Sequence, residues 1–289
     1  MIVLMVIAKT RPKLMRNLSR SLEDRGPFEV EPFEPGSRSK GRALELWNRR
    51  RVRFGLKAAR DWGGAPLLSA EVGKLEKNEV HTLGLVLAPS RSGGLVNACA
   101  WSTPGCEPPN CLSGAGHNGH ERNHRVRAAR TAFLFECPWT FWRVVGGELR
   151  RALDRHGSVA FRGNVLSDLR LERIVPSLGT WEGLTLLDYT KAPPRARRGA
   201  AAAGWHLVHS ITERHTAAQV DRLLLEVPVA IVSSAPSLPE SAKLEHCRRL
   251  IDGDKHDERW RDQAGDVVHL SVKGKMPRNG GLVRNDLFG

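Results

Sequence analysis

Cys99, Cys106 and Cys111 fall within thirteen residues of a 289-residue chain that has only five cysteines. Pro104 and Gly105 separate the first pair, and Pro108 and Pro109 the second. A stretch this rich in Pro and Gly cannot be helix or central strand, because Pro lacks an amide hydrogen and Gly has no side chain to pack. It is expected to be a loop that gathers three sulfurs. Thiolates are soft ligands, so the chemistry they suit is a zinc ion or an iron–sulfur cluster. Three thiolates on a cluster leave one iron open to an external ligand, whereas three plus a histidine close a tetrahedral zinc site. His117, His120 and His124 follow within thirteen residues of Cys111, with His117 the first candidate for that fourth position. The spacing, C-x6-C-x4-C, is neither a zinc knuckle nor a ferredoxin pattern, and small buried thiols are the plain alternative. Cys137 and Cys247 stand alone and are expected in the core.

Carboxylates supply the second set of candidates. Asp188 directly follows an apolar run and Asp168 follows another within a few residues; a carboxylate at a strand end can bind a metal, take a proton or attack as a nucleophile. Asp252 and Asp254 do the same within Asp252-Gly-Asp-Lys-His-Asp257, a run that suits either a hard cation or a tight turn. Arg162, Asn164, Ser167, Tyr189, Lys191 and His256 accompany them as candidates for holding substrate or cofactor, although the single tyrosine is equally a packing residue. Gly114, Gly116 and Gly119 precede Glu121, a turn that can receive an anion at a helix N-terminus.

These residues need a scaffold that brings their segments together. Short apolar runs predict strands at Leu83–Ala88, Val159–Arg162, Leu184–Leu187, His206–Thr212, Val229–Ser233 and Val267–Val272. Helical patterns lie between them, at Glu121–Glu136, at Trp139–His156 behind the first-turn proline Pro138, and at His215–Val227. Strands alternating with helices imply βα units and a mainly parallel sheet: an α/β body, built as a full or partial (β/α) barrel or as an open doubly wound sheet. In all of these the chemistry sits at the carboxyl ends of the strands, where the candidates above cluster. Residues 1–66 read as a separate basic arm and linker, partly disordered, with a helix at Arg42–Arg60, and residues 67–289 as the body.

The formal net charge is +14, from 45 Lys+Arg against 31 Asp+Glu. Residues 1–60 carry 15 of the basic groups and 6 of the acidic ones, so the arm holds +9 and the rest +5. Such an arm is drawn to polyanions, DNA or RNA first, or is only a solvated tail. Arginine outnumbers lysine 34 to 11, which suits planar phosphate contacts. No apolar run is long enough for a membrane-spanning helix, and Met1–Ala8 lacks the charge pattern of a secretory signal. A cytoplasmic setting follows. In that reducing setting clustered cysteines read as metal-binding or catalytic. The sequence does not give the oligomeric state.

Residues 67–289 resemble a family of actinobacteriophage proteins, the "gene 88 protein" family. The resemblance rests on Leu67–Ala70, Leu85–Pro89, the cysteine loop through Gly116, Ala128–Thr131, Arg162–Asn164 with Ser167-Asp168, Asp188–Lys191, Ile251–Asp257 and Val272–Lys275. The family's name carries no chemistry. A looser similarity carries more: a strand, a Cys-x6-Cys loop containing Ser-Thr-Pro-Gly-Cys, a helix and a strand ending in Asn-x-x-Ser-Asp look like a phage group with a radical-SAM-like three-cysteine motif. That similarity implies an iron–sulfur cluster on Cys99, Cys106 and Cys111 whose open iron binds S-adenosylmethionine, with Arg162–Asp168 facing the cofactor. It departs from the family's usual C-x3-C-x2-C spacing. The expectation is therefore a phage-type metalloprotein enzyme with such a site. The alternatives are a zinc-stabilised enzyme of base modification or exchange, and a non-catalytic nucleic-acid-binding accessory protein.

Overall fold

The computed structural model describes residues 22–34, 37–70, 73–94, 96–107, 110–114, 116–273 and 281–289. Eight strands form one sheet in the order β1-β2-β3-β4-β5-β6-β8-β7. They are β1 Leu68–Ser69, β2 Thr82–Leu85, β3 Val159–Arg162, β4 Leu184–Thr190, β5 Trp205–Ser210, β6 Val229–Ser233, β7 Arg249–Asp252 and β8 Asp266–Ser271. Only β1 pairs antiparallel; every other neighbouring pair is parallel, as the alternating pattern predicts. Strands buried on both faces must be apolar throughout, which is why Val159-Ala160-Phe161 and Val229-Ala230-Ile231 read as unbroken runs. A full barrel is not formed: among the described residues β1 and β7 are unjoined edges, so the sheet is open. Nor does the order reverse midway, as it would in a doubly wound sheet. It runs straight from β1 to β6, and only β7 and β8 exchange places.

From Arg38 onward the α-helices among the described residues are α1 Arg38–Arg53, α2 Glu121–Glu136, α3 Pro138–His156, the single turn α4 Leu171–Ile174, and α5 Ala217–Leu224. Pro138 occupies the first turn of α3, where its missing amide hydrogen costs nothing, and Gly157 at φ 74° ends it. Thr216 caps α5 in a reciprocal box with Gln219. α2 and α3 cover one face of the sheet, burying Phe133, Phe141, Trp142 and Leu149 together with Phe161, Leu186 and Trp205.

Leu22, Phe28, Val30, Ala43 and Trp47 join this same cluster. Trp47 stacks on Phe133 with ring centroids 5.6 Å apart and donates its indole N–H to the Ala65 carbonyl at 3.0 Å. A Cβ on Gly146 would stand 2.4 Å from the Val30 carbonyl oxygen, so the 28–30 backbone lies directly on α3. Residues 1–21 of the basic arm lie outside the described residues. The opposite face of the sheet buries Val208, Ala230 and Val268, with Tyr189 and Leu270 packed beside them. Among the described residues no helix is long and apolar enough to cross a membrane.

Candidate functional site

The carboxyl ends of β3, β4 and β5 lie side by side, and the cysteine loop is fastened to all three. Below β3, the Asp168 amide donates to the Ala98 carbonyl at 2.8 Å, and Cys99 bridges Asp168 as a parallel pair. The Cys99 sulfur accepts from the Ser90 amide at 3.1 Å and donates to the Leu166 carbonyl at 3.4 Å. The Asp168 carboxylate then reaches across to β4. It accepts from the Thr190 hydroxyl and the Lys191 amide, both at 2.8 Å, and from the Arg197 guanidinium at 3.4 Å. The Lys191 ammonium is near enough to Cys106 for the two charges to act on each other. At β5, the Glu213 carboxylate accepts from the Thr103 hydroxyl at 2.8 Å and the Gly105 amide at 3.1 Å. Gly105 is required there, since a Cβ would fall 2.5 Å from Glu213 Oε2 and 2.9 Å from the Gly281 backbone.

The charges follow from this burial. Burial pushes the Cys99 thiol up to about 12, against the pull of the Ser90 amide and with help from Asp168 and Cys106. Burial also raises Cys106, while Lys191 pulls it down and Cys111 adds to the rise. Lys191 is raised: burial alone would lower it, but Cys106 and Asp168 outweigh that. Burial takes His209 down to about 4, aided by His215 and Lys191, so this imidazole is neutral near pH 7. The rim thus sets an ammonium between a thiol and a carboxylate, with Cys106 the middle member of three thiols that sense one another in pairs. A thiol beside a cation is the usual setting of a cysteine that ligates or reacts as thiolate.

The remaining candidates have other placements. Asp188 is fully buried and accepts from the Asn164 amide at 3.0 Å and its side-chain N–H at 2.6 Å. Asn164 in turn accepts from the Ser167 hydroxyl at 2.8 Å and the Leu169 amide at 2.9 Å. These residues hold the turn between Arg162 and Asp168 in shape, and burial pushes Asp188 up to about 7 against Arg162, Arg197 and Asn164. Arg162 lies over the Tyr189 ring at 4.6 Å and forms a short ion pair with Asp257, which also accepts from the Tyr189 hydroxyl at 2.7 Å. Asp252 and Asp254 stay near their own strand ends. Asp252 accepts from the Asp254 amide at 3.0 Å, and Asp254 takes the Ser271 amide at 3.0 Å and Lys273 at 2.9 Å. His256 accepts from the Glu258 amide at 3.4 Å. These three do not join the cysteine rim.

All five cysteines are free thiols; Cys137 and Cys247, expected in the core, are only partly buried at the margins of the two larger hydrophobic clusters. Cys111 accepts from the Ser113 amide at 3.5 Å. His124 meets the Arg127 guanidinium through Nδ1 at 2.9 Å; since arginine only donates, that nitrogen is occupied as an acceptor. The His117 side chain lies outside the described residues. Among the described residues no three of His, Cys, Asp and Glu stand close enough to share a metal ion. Sequence reasoning passes over Arg197, and it registers Glu213, His209 and Asp257 as polar residues near strand ends without giving them a role. His209 lies at the carboxyl end of β5, Glu213 follows β5 and Asp257 follows β7, so position at a strand end was the available signal.

No curated protein and no solved structure matches the chain, and the comparisons give no support to the radical-SAM-like similarity. A family model described as Gene product 88 matches residues 62–285, and the chain belongs to that family.

Proposed function

We propose that the protein is a metal-dependent enzyme whose working centre is the cysteine loop seated on the carboxyl ends of β3, β4 and β5, with Cys99, Cys106 and Cys111 as ligands. The observation that carries this reading is how the cysteine loop is tied to the strand ends: Cys99 bridges Asp168, whose carboxylate takes the Lys191 amide, and Glu213 holds Thr103 and Gly105 beside Cys106. The donors suit a soft metal by their chemistry. Among the described residues they do not converge as they stand, so binding requires the loop to close around the metal. A three-thiolate iron–sulfur cluster would supply an open iron for a ligand such as S-adenosylmethionine, and zinc would supply a Lewis acid or a staple.

The chain's own residues have definite tasks around such a centre. Lys191 balances thiolate charge, Asp168 orients the Lys191 backbone, and Glu213 holds the loop over β5. Burial keeps Cys99 and Cys106 protonated near neutral pH, so metal loading releases protons and strengthens as pH rises. The unbroken order β2-β3-β4-β5-β6 supports regarding the body as a sector of a (β/α) barrel, which places the rim where such folds do chemistry. A second reading, a zinc-stabilised protein that modifies or binds nucleic acid, is favoured by the arginines on α1 and on the first turn of α2.

Anaerobic isolation of the full chain, with iron, sulfide and zinc measured beside a Cys106→Ser variant, tests the proposal. Stoichiometric metal that the variant lacks is the expected result. Iron with sulfide selects the cluster and zinc alone selects the second reading. Wild-type protein free of all three overturns both.

A further inference from the structure

A cleft of about 450 Å³ opens where the last turn of α1 meets the first turn of α2. Arg51 and Lys57 line it from the α1 side, and Arg122 and Arg125 from α2; Glu121 is the one carboxylate in its lining. Four cations against one acid leave the cleft at a formal +3. The cations are held there by geometry. Arg51 donates through Nε to the Lys57 carbonyl at 3.0 Å and lies over the Trp47 ring at 5.6 Å, so a buried tryptophan fixes its position.

The charge placement works against local stability. A helix N-terminus carries the positive end of the backbone dipole and favours acids. The first turn of α2 nevertheless holds Arg122, with Arg125 one turn on and Glu121 as its only acid. Arg125 is paired with Glu121, which leaves Arg51, Lys57 and Arg122 unneutralised within the cleft. Arg51 holds its proton less tightly than an ordinary arginine, first because it is partly desolvated and then because Arg122 repels it. Cations gathered against both a helix dipole and one another are relieved by an anion.

We propose that this cleft binds a phosphodiester segment of a single-stranded nucleic acid, with Arg51, Arg122 and Arg125 on the phosphates. A strand is favoured over a free phosphate because the cations span the ends of two helices, and arginine forks suit successive phosphate oxygens. The inference does not depend on which metal, if any, the loop binds.

Fluorescence anisotropy with a labelled single-stranded oligonucleotide and the full chain tests it. Arg122→Gln/Arg125→Gln is expected to weaken binding about tenfold and to lower the slope of log affinity against log salt by about 1.4. Arg38→Gln/Arg42→Gln removes the same charge from the start of α1, about 14–20 Å away along the helix, and is expected to change affinity less than about threefold. Glu121→Gln is expected to tighten binding, a gain that a misfolded variant cannot produce. Equal losses in the two double variants would mean diffuse attraction by the whole basic surface and would overturn the site. Displacement of the oligonucleotide by inorganic phosphate at matched ionic strength would assign the cleft to a free anion and overturn the strand.

Discussion

Asp168 and Asp254 are both carboxylates just beyond strand ends, yet their surroundings differ. Asp168 is buried and joins Thr190, Lys191 and Arg197 from beyond β4 to the backbone beneath the cysteine loop. The Asp254 carboxylate is half-buried and serves Ser271 and Lys273, at the end of the strand next to its own. Asp257, three residues on, crosses to β3 and β4 and is wholly buried between Arg162 and Tyr189. Crowding of acidic residues along a chain is therefore a poor guide to crowding in space. What distinguishes a carboxylate is how many separate segments would lose a partner without it.

Substitutions can break that comparison or sharpen it. Asp257→Ala is expected to cost about 3–5 kcal/mol in urea denaturation, because it strands a buried guanidinium and a phenol together. A loss below about 1 kcal/mol would put Asp257 with Asp254 and dissolve the distinction. Asp188→Asn replaces an acceptor by a donor against the Asn164 side chain, at about 1–3 kcal/mol.

Asp188 also carries a pH signature. Its pKa in the fold, about 7, lies above the free value of roughly 4, so the native state binds the proton more tightly. Its stabilising contribution is complete below the free value and is lost as pH rises through about 7. Unfolding curves between those limits should slope downward with pH in the wild type, and that component should be missing in Asp188→Asn.

Glu213→Gln leaves one acceptor for two donors and is expected to cost about 1 kcal/mol. It should also speed alkylation of Cys106, read by mass spectrometry of the labelled peptide. Asp254→Asn closes the series at less than about 1 kcal/mol, since Lys273 is half exposed to solvent.

Hydropathy reads the fold best where burial is two-sided. β3, β6 and α2 fall on their expected boundaries, because every strand residue that packs is apolar and helix starts carry local signals. β4 is expected to stop at Leu187 but continues to Thr190, because Asp188 and Thr190 are buried with their polar atoms satisfied by Asn164 and Asp168. Periodicity cannot register a polar residue whose partner is 22 or 24 positions away. β7 is marked only weakly: as an edge strand with half-exposed residues, Arg249–Asp252 offers just the pair Leu250-Ile251 as its apolar signal. At the candidate site, residue types were legible and pairings were not. Glu213 reaches back 110 residues to Thr103, and Asp257 reaches 95 to Arg162.

Gly105, wedged between the Glu213 carboxylate and the Gly281 backbone, determines how the cysteine loop can be studied. A synthetic thirteen-residue copy of Cys99–Cys111 would carry every sulfur and none of the clamps. Titrating that peptide with metal would report the appetite of loose thiols, and the gap between its affinity and that of the intact chain would measure what the scaffold contributes.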